Sequence, residues 1–282
     1  MTPLLVFSKR LWVIVKACRS KYQFSLADYW LYLRFAEIPG SSKEFPKVEV
    51  CSQMQNRIQL QIGHEYYYWP TEANWDGLGW MYHEVFVPAS KNPHAYEFDG
   101  AKITPGDRVV DAGACEGFFT RYALQSKAKV LSLEPVHSIA ECLKYTFADE
   151  IREGQVDVQT VALGAKSRQA KLQSDQNHLY ESHIGDTGSD IQVKTLDEIL
   201  GKNRVDFIKM DIEGAEMDAI MGASQTLAKH KPRLSIAVYH AVENAHKVCK
   251  LIHEIRPDYH IKYRGIFAWD GCEPRPFMVY AW

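Results

Sequence analysis

From Arg108 onward, short apolar runs alternate with amphipathic segments, and no other feature constrains the fold as tightly. Residues 108–112, 129–133, 156–161, 205–211 and 234–239 read as strands. Residues 118–125, 138–148, 215–227 and 243–255 read as helices. The early strands are continuous apolar runs rather than strict alternations, as in sheets buried on both faces. Strand–helix alternation predicts an α/β fold, a doubly wound, mostly parallel sheet with right-handed crossovers. Ligands of such sheets bind at the carboxyl ends of the strands, near the switch point. Residues 169–194 are less regular and read as a hairpin; 259–263 and 277–281 close the chain as strands.

Residues 1–98 lack this rhythm and are expected to form an N-terminal extension to a domain spanning 99–282. Residues 1–37 read as helical, and Pro39, Gly40, Ser41 and Ser42 mark a break. Ile58, Leu60 and Ile62 alternate as in a strand within 48–62. Tyr66, Tyr67, Tyr68, Trp69, Trp75, Trp80 and Tyr82 then crowd one stretch, which suits either core packing or an acceptor site.

With 33 basic and 35 acidic residues the net charge is −2, so the basic excess typical of a nucleic-acid binder is absent. No apolar run approaches the ~18 residues of a spanning helix, and no targeting segment is read. The cysteines (Cys18, Cys51, Cys115, Cys142, Cys249 and Cys272) form no CxxC or zinc spacing and read as thiols of a reducing, cytoplasmic compartment. Residues 1–34 hold six basic side chains (Lys9, Arg10, Lys16, Arg19, Lys21, Arg34) against one acid, Asp28. Two readings fit: a helix packed on the main domain, or a basic amphipathic helix in peripheral contact with a membrane.

Three motifs carry the chemistry. In VVDAGACEGFFT, a strand ends at Asp111, and Gly113 and Gly117 flank the turn into a helix. Glycines there let backbone N–H groups approach a ligand at a helix N-terminus. The spacing lacks the middle glycine of the dinucleotide fingerprint. In LSLEP, Glu134 ends the next strand, about 20 residues on, where a carboxylate accepts hydrogen bonds from ribose hydroxyls. Together these two imply a nucleoside-containing cofactor without choosing between NAD and S-adenosylmethionine. The third is VDFIKMDIEGAE, in which Asp211 ends a strand and Glu213 and Glu216 flank Gly214.

These motifs, with VALG at 161–164, TLDEIL at 195–200 and Tyr239-His240, follow the order of the FkbM-like methyltransferases, and residues 99–240 resemble that family. The resemblance implies a class I fold and S-adenosyl-L-methionine as methyl donor, with O-methylation of a hydroxyl on a sugar or secondary metabolite. It implies that Asp111, Gly113 and Gly117 line the methionine end of the donor, Glu134 holds the ribose, and Ala162 and Leu163 lie beside the adenine. Asp211, Glu213 and His240 would face the methyl group and the acceptor. Where family members read close to GANIG, this chain has Gly113-Ala114-Cys115-Glu116-Gly117.

Two base assignments follow: His240 with Asp211 as its orienter, or the reverse. A divalent cation on Asp211 and Glu213 is a third arrangement, and no metal is assigned. Glu216 reads as an acid at the positive end of a helix. Lys209 is expected in the sheet layer or paired with a carboxylate. The competing functions are a nicotinamide-dependent oxidoreductase and a non-catalytic interaction protein that keeps the fold.

Overall fold

The computed structural model describes residues 3–35, 45–175, 178–268 and 273–282. The break expected at Pro39 to Ser42, and Cys272, lie outside the described residues. The chain opens with helices α1 (Pro3–Arg19) and α2 (Leu26–Phe35). At the start of α2, the Ser25 Oγ accepts from the Asp28 N–H while the Asp28 carboxylate accepts from the Ser25 N–H. This reciprocal cap satisfies two otherwise unpaired donors. The other Asp28 oxygen accepts from the Gly265 N–H at 2.9 Å, which ties the extension to the C-terminal part of the domain. Next comes an antiparallel sheet of β1 (Val48–Gln53), β2 (Arg57–Ile62) and β3 (Glu65–Pro70), followed by α3 (Leu78–Phe86).

The expected alternation then begins: β4 (Arg108–Ala112), α4 (Phe118–Gln125), β5 (Lys129–Leu133), α5 (His137–Thr146), α6 (Ala148–Arg152) and β6 (Val156–Gln159). After β7 (Ala162–Leu163) comes an insertion, β8 (Arg168–Asp175), β9 (His178–Gly185) and β10 (Ser189–Lys194). The hairpin expected there is larger than the sequence suggests. β10 returns parallel to β7, so a four-stranded sheet of order β7-β10-β8-β9 forms. Then follow α7 (Leu196–Leu200), β11 (Phe207–Met210), α8 (Glu216–Met221), α9 (Ser224–His230), β12 (Arg233–Ala237), α10 (Asn244–Ile255), β13 (Ile261–Phe267) and β14 (Arg275–Ala281).

The single helix expected over 215–227 is two. The break falls at Gly222, where a Cβ would stand 2.1 Å from the Gly164 carbonyl oxygen, and where the Gly222 carbonyl accepts from the Asp197 N–H instead of continuing the helix.

The central sheet runs β13-β14-β12-β11-β4-β5-β6. Its strands from β12 to β6 are parallel, and β14 enters antiparallel. Chain order reverses between β4 and β11, so the switch point lies where Gly113 and Asp211 leave adjacent strands. Apolar cores cover both faces. One takes in the β1–β3 sheet: Tyr67 meets Phe118 edge-on at 5.0 Å, and Trp69 is buried. The aromatic stretch is thereby divided. Tyr67 and Trp69 are core, while Trp80 on α3 faces a cavity.

Candidate active site

Two cavities flank the switch point. One is a cleft of about 620 Å³, partly open to solvent, between the ends of β4 and β5 and the inserted sheet. Its walls include Gly113, Glu134, Ala162, Leu163, Asp211 and Glu213. Leu172, Leu179 and Ile184 of the insertion cover it with apolar surface. The second, about 1180 Å³, lies between the sheet and α3, bounded by Trp80, Glu84, Tyr96, Glu116, Phe119 and Tyr239. Gly113, Cys115, Asp211 and Glu213 belong to both walls.

Backbone geometry builds this divide. Gly113 has φ +76°, and a Cβ there would stand 1.9 Å from the Asp211 carbonyl oxygen, so only glycine lets the two turns touch. Cys115 (φ +45°) and Glu213 (φ +53°) are left-handed without being glycine. Such strain persists where surrounding structure over-determines it, commonly at functional sites. Glu134 spans the first turn. One carboxylate oxygen accepts from the Cys115 N–H at 3.0 Å and the other from the Val136 N–H at 2.8 Å. Burial raises its pKa to about 7, and that of the neighbouring Glu116 likewise.

Two residues expected at the methionine end serve the turn from beneath. The Asp111 side chain is fully buried and borders neither cavity; Thr120 Oγ1 donates to it at 2.7 Å and Lys209 Nζ lies 3.1 Å away. Lys209 also donates to the Gly113 carbonyl at 2.6 Å. This ion pair places Lys209 as the sequence suggested and gives Asp111 a supporting position. Gly117, at φ +87°, starts α4, and its missing Cβ makes room for Phe147 and Leu143 rather than for a ligand.

On the acceptor side the structure assembles a chain of polar groups. Tyr96 Oη donates to Asp211 Oδ2 at 2.7 Å. His94 bridges Glu84 and Asp211, its Nδ1 3.5 Å from Glu84 Oε1 and its Nε2 3.6 Å from Asp211 Oδ2. His240 Nε2 lies 3.5 Å from both Asp211 Oδ1 and Glu213 Oε2, and Nδ1 lies 3.2 Å from Glu216 Oε1. Glu216 opens α8, at the positive end of a helix as expected, and is fully buried. It accepts from the Ile212 and Gly214 N–H groups and from Asn244 Nδ2, fixing the strained turn and His240 together. His240 itself borders neither cavity; it stands behind Asp211 and Glu213.

The electrostatics separate the two histidines. Burial lowers His94 to about 4, so it is neutral. Burial also opposes charge on His240, but the bonds to Glu213 and Glu216 outweigh it and hold its pKa well above the ordinary value. Asp211 would be raised by burial, yet the charges of His240 and Lys209 and the hydrogen bond from Tyr96 lower it, so it is ionised. Burial and the nearby Asp211 raise Glu84 well above the usual carboxylate range. Groups pushed apart in this way mark sites with acid–base work to do.

Sequence reasoning missed Glu84, His94 and Tyr96. No motif flags them; the available signal was a carboxylate and a histidine set within and just beyond the chain's most aromatic stretch.

Comparison with known proteins bears on the family and the fold. A curated relative, methyltransferase sdnD of Sordaria araneosa, is 24% identical over 186 residues, covering 51% of this chain and 68% of that protein. The crystal structure of methyltransferase FkbM from Methylobacillus flagellatus KT superposes with a TM-score of 0.52 at 22% identity. The match covers 71% of this chain and 48% of that one, so this chain spans about half the length of that relative and shares its fold. Residues 111–259, more than half of the chain, match the methyltransferase FkbM domain. The class I Rossmann-like sheet and this match agree, and the chain belongs to the FkbM methyltransferase family.

Proposed function

We propose that the chain transfers the methyl group of S-adenosyl-L-methionine to a hydroxyl of a small-molecule acceptor, a sugar or secondary metabolite. The observation that carries this reading is the shared wall: Asp211 and Glu213 border both cavities, so a donor in one and an acceptor in the other meet at a carboxylate.

The residues present fit the donor. Each Glu134 oxygen has taken one backbone N–H and can accept a second hydrogen bond, one from each ribose hydroxyl. Ala162 and Leu163 offer an apolar wall for the base. When bound, the donor supplies an electrophilic methyl on a sulfonium.

Asp211 is assigned as proton acceptor and His240 as its positioning partner, the second of the two assignments the sequence left open. His240 holds a proton at neutral pH and stands behind the wall, whereas Asp211 is ionised. Tyr96 donates to Asp211 Oδ2, and the buried Oδ1 faces His240 Nε2 at 3.5 Å. A carboxylate of low pKa suffices because a hydroxyl turns strongly acidic as its oxygen gains a third bond, to the incoming methyl, and takes on oxonium character. Alignment supplies roughly 7–11 kcal/mol of the barrier reduction, against about 10²–10⁴-fold from the base. The free thiols of the described cysteines suit a reducing, cytoplasmic setting.

A divalent cation is the second reading, because ligand atoms of Asp211, Glu213 and His240 lie within 4.8 Å of one another. Under the favoured reading a chelator leaves turnover unchanged; abolition by chelator and rescue by magnesium selects the cation.

Thermal shift tests the function. At a hundredfold excess over Kd a true ligand adds about 2.7 kcal/mol, a rise of roughly 5 °C for a chain this size. S-adenosylmethionine is expected to give that rise and NAD none. A rise with NAD alone supports the oxidoreductase, and a rise with neither supports the non-catalytic interaction protein.

A further inference from the structure

Helices α1 and α2 are apolar on two sides. Val13 and Ala17 of α1, and Leu31 and Tyr32 of α2, are buried in the domain. On the outer side of α1, Leu11 (43% exposed), Trp12 (58%) and Val15 (49%) form a stripe at i, i+1 and i+4. On α2, Leu26 (87%) and Trp30 (62%) form another, one turn apart. The helices are neighbours: Arg10 Nη1 donates to the Leu33 carbonyl at 2.6 Å. Single exposed apolar residues need no explanation, but large ones in stripes on adjoining helices mark a surface that meets something.

The charges identify the partner. Lys9 and Arg19 are exposed on the same helix, Lys16 Nζ sits 3.9 Å over the Trp12 ring, and the Arg34 guanidinium lies 5.9 Å from the Trp30 ring. Asp28 is the sole acid in residues 3–35, and it is buried and spent on Ser25 and Gly265. The face therefore presents indole, aliphatic and cationic groups, with no exposed carboxylate among the described residues of the two helices, while the rest of the chain is net acidic. Self-pairing would set like charges against one another. An anionic bilayer instead receives tryptophan at its interface and basic side chains at its headgroups. Among the described residues no helix is long and apolar enough to cross a membrane, so contact would be peripheral.

We infer that the outer face of α1 and α2 is a docking surface for an anionic lipid bilayer. The surface is coupled to the site: Tyr22 Oη donates to the Val242 carbonyl at 2.8 Å, and Lys21 pairs with Glu243 at 2.5 Å, both just beyond His240.

Co-sedimentation of the full chain with vesicles tests this. Binding is expected to vesicles containing phosphatidylserine and to be weaker for phosphatidylcholine alone. Lys9→Gln and Lys16→Gln each reduce the first affinity roughly 5-fold, and Trp12→Ser with Trp30→Ser reduces it at unchanged charge. Lys9, Trp12 and Trp30 are exposed and Lys16 is half-buried, so circular dichroism should show intact folding. Binding to neither vesicle, equal binding to both, or affinity indifferent to the four substitutions overturns the proposal. So does a concentration-dependent dimer that the double tryptophan variant abolishes, which would identify a second copy as the occupant.

Discussion

The two cavities meet at one wall yet are built by different means. The donor side is made by backbone: a glycine turn, two N–H groups gathered on Glu134, and small apolar residues at strand ends. The acceptor side is made by side chains brought from afar, Glu84 and His94 from the extension, Asp211 and His240 from the sheet. Backbone geometry serves an invariant nucleoside, whereas a side-chain network can be revised for each acceptor without disturbing the sheet. The contrast predicts that substitutions on the two sides separate into catalytic and binding effects.

The largest expected effect is on the acceptor side. Asp211→Asn keeps the shape but removes the ionised acceptor, and turnover should fall about 10²–10⁴-fold with little change in donor affinity by calorimetry. A comparable loss of donor affinity would erase the distinction between the sides. Next, Glu134→Ala should weaken donor binding about 10–100-fold, the worth of hydrogen bonds to one charged group, while turnover at saturating donor changes far less. If turnover collapses at saturation, Glu134 acts on chemistry as well.

A smaller effect follows from the raised pKa of Glu134. Ribose hydroxyls favour the ionised carboxylate, so donor binding below pH 7 must release a proton. Affinity should rise with pH toward about 7 and then level, by at most about tenfold per pH unit. Glu116 shares that pKa, so Glu134→Gln decides: it should flatten the dependence if Glu134 is its source. The same two groups have folded pKa values above their unfolded ones. Their contribution to stability is full below the ordinary carboxylate range and is lost as pH rises through about 7. The smallest effect is Cys115→Asn. Asparagine tolerates a left-handed backbone better, so melting temperature should rise by a few degrees at most, without a change in donor specificity. A fall would show that the thiol's packing outweighs backbone strain.

The same contrast explains what the sequence could tell. Gly113, Glu134, Ala162, Leu163, Asp211 and Glu213 sit at or next to strand ends in a repeating pattern, so topology alone gathers them around one cleft. The family resemblance implies a ligand role for Asp111, but side chains alternate along a strand, and the face this one takes is set by Lys209 and Thr120 packing beneath the turn. Gly117 signalled a turn correctly, and what fills its vacant space, Phe147, is a tertiary matter. His240 was placed near Asp211, yet its charge depends on Glu216, whose burial no local pattern shows. Glu84 and His94 stayed hidden because the extension's docking on the sheet is set by packing of Tyr67 and Trp69, which carries no motif.

The most direct test is a crystal structure with S-adenosylhomocysteine bound. The account predicts both ribose hydroxyls on the Glu134 carboxylate, the base against Ala162 and Leu163, and the sulfur at the wall facing Asp211. A nucleoside found in the α3 cavity, or one leaving Glu134 without a ribose contact, would contradict it.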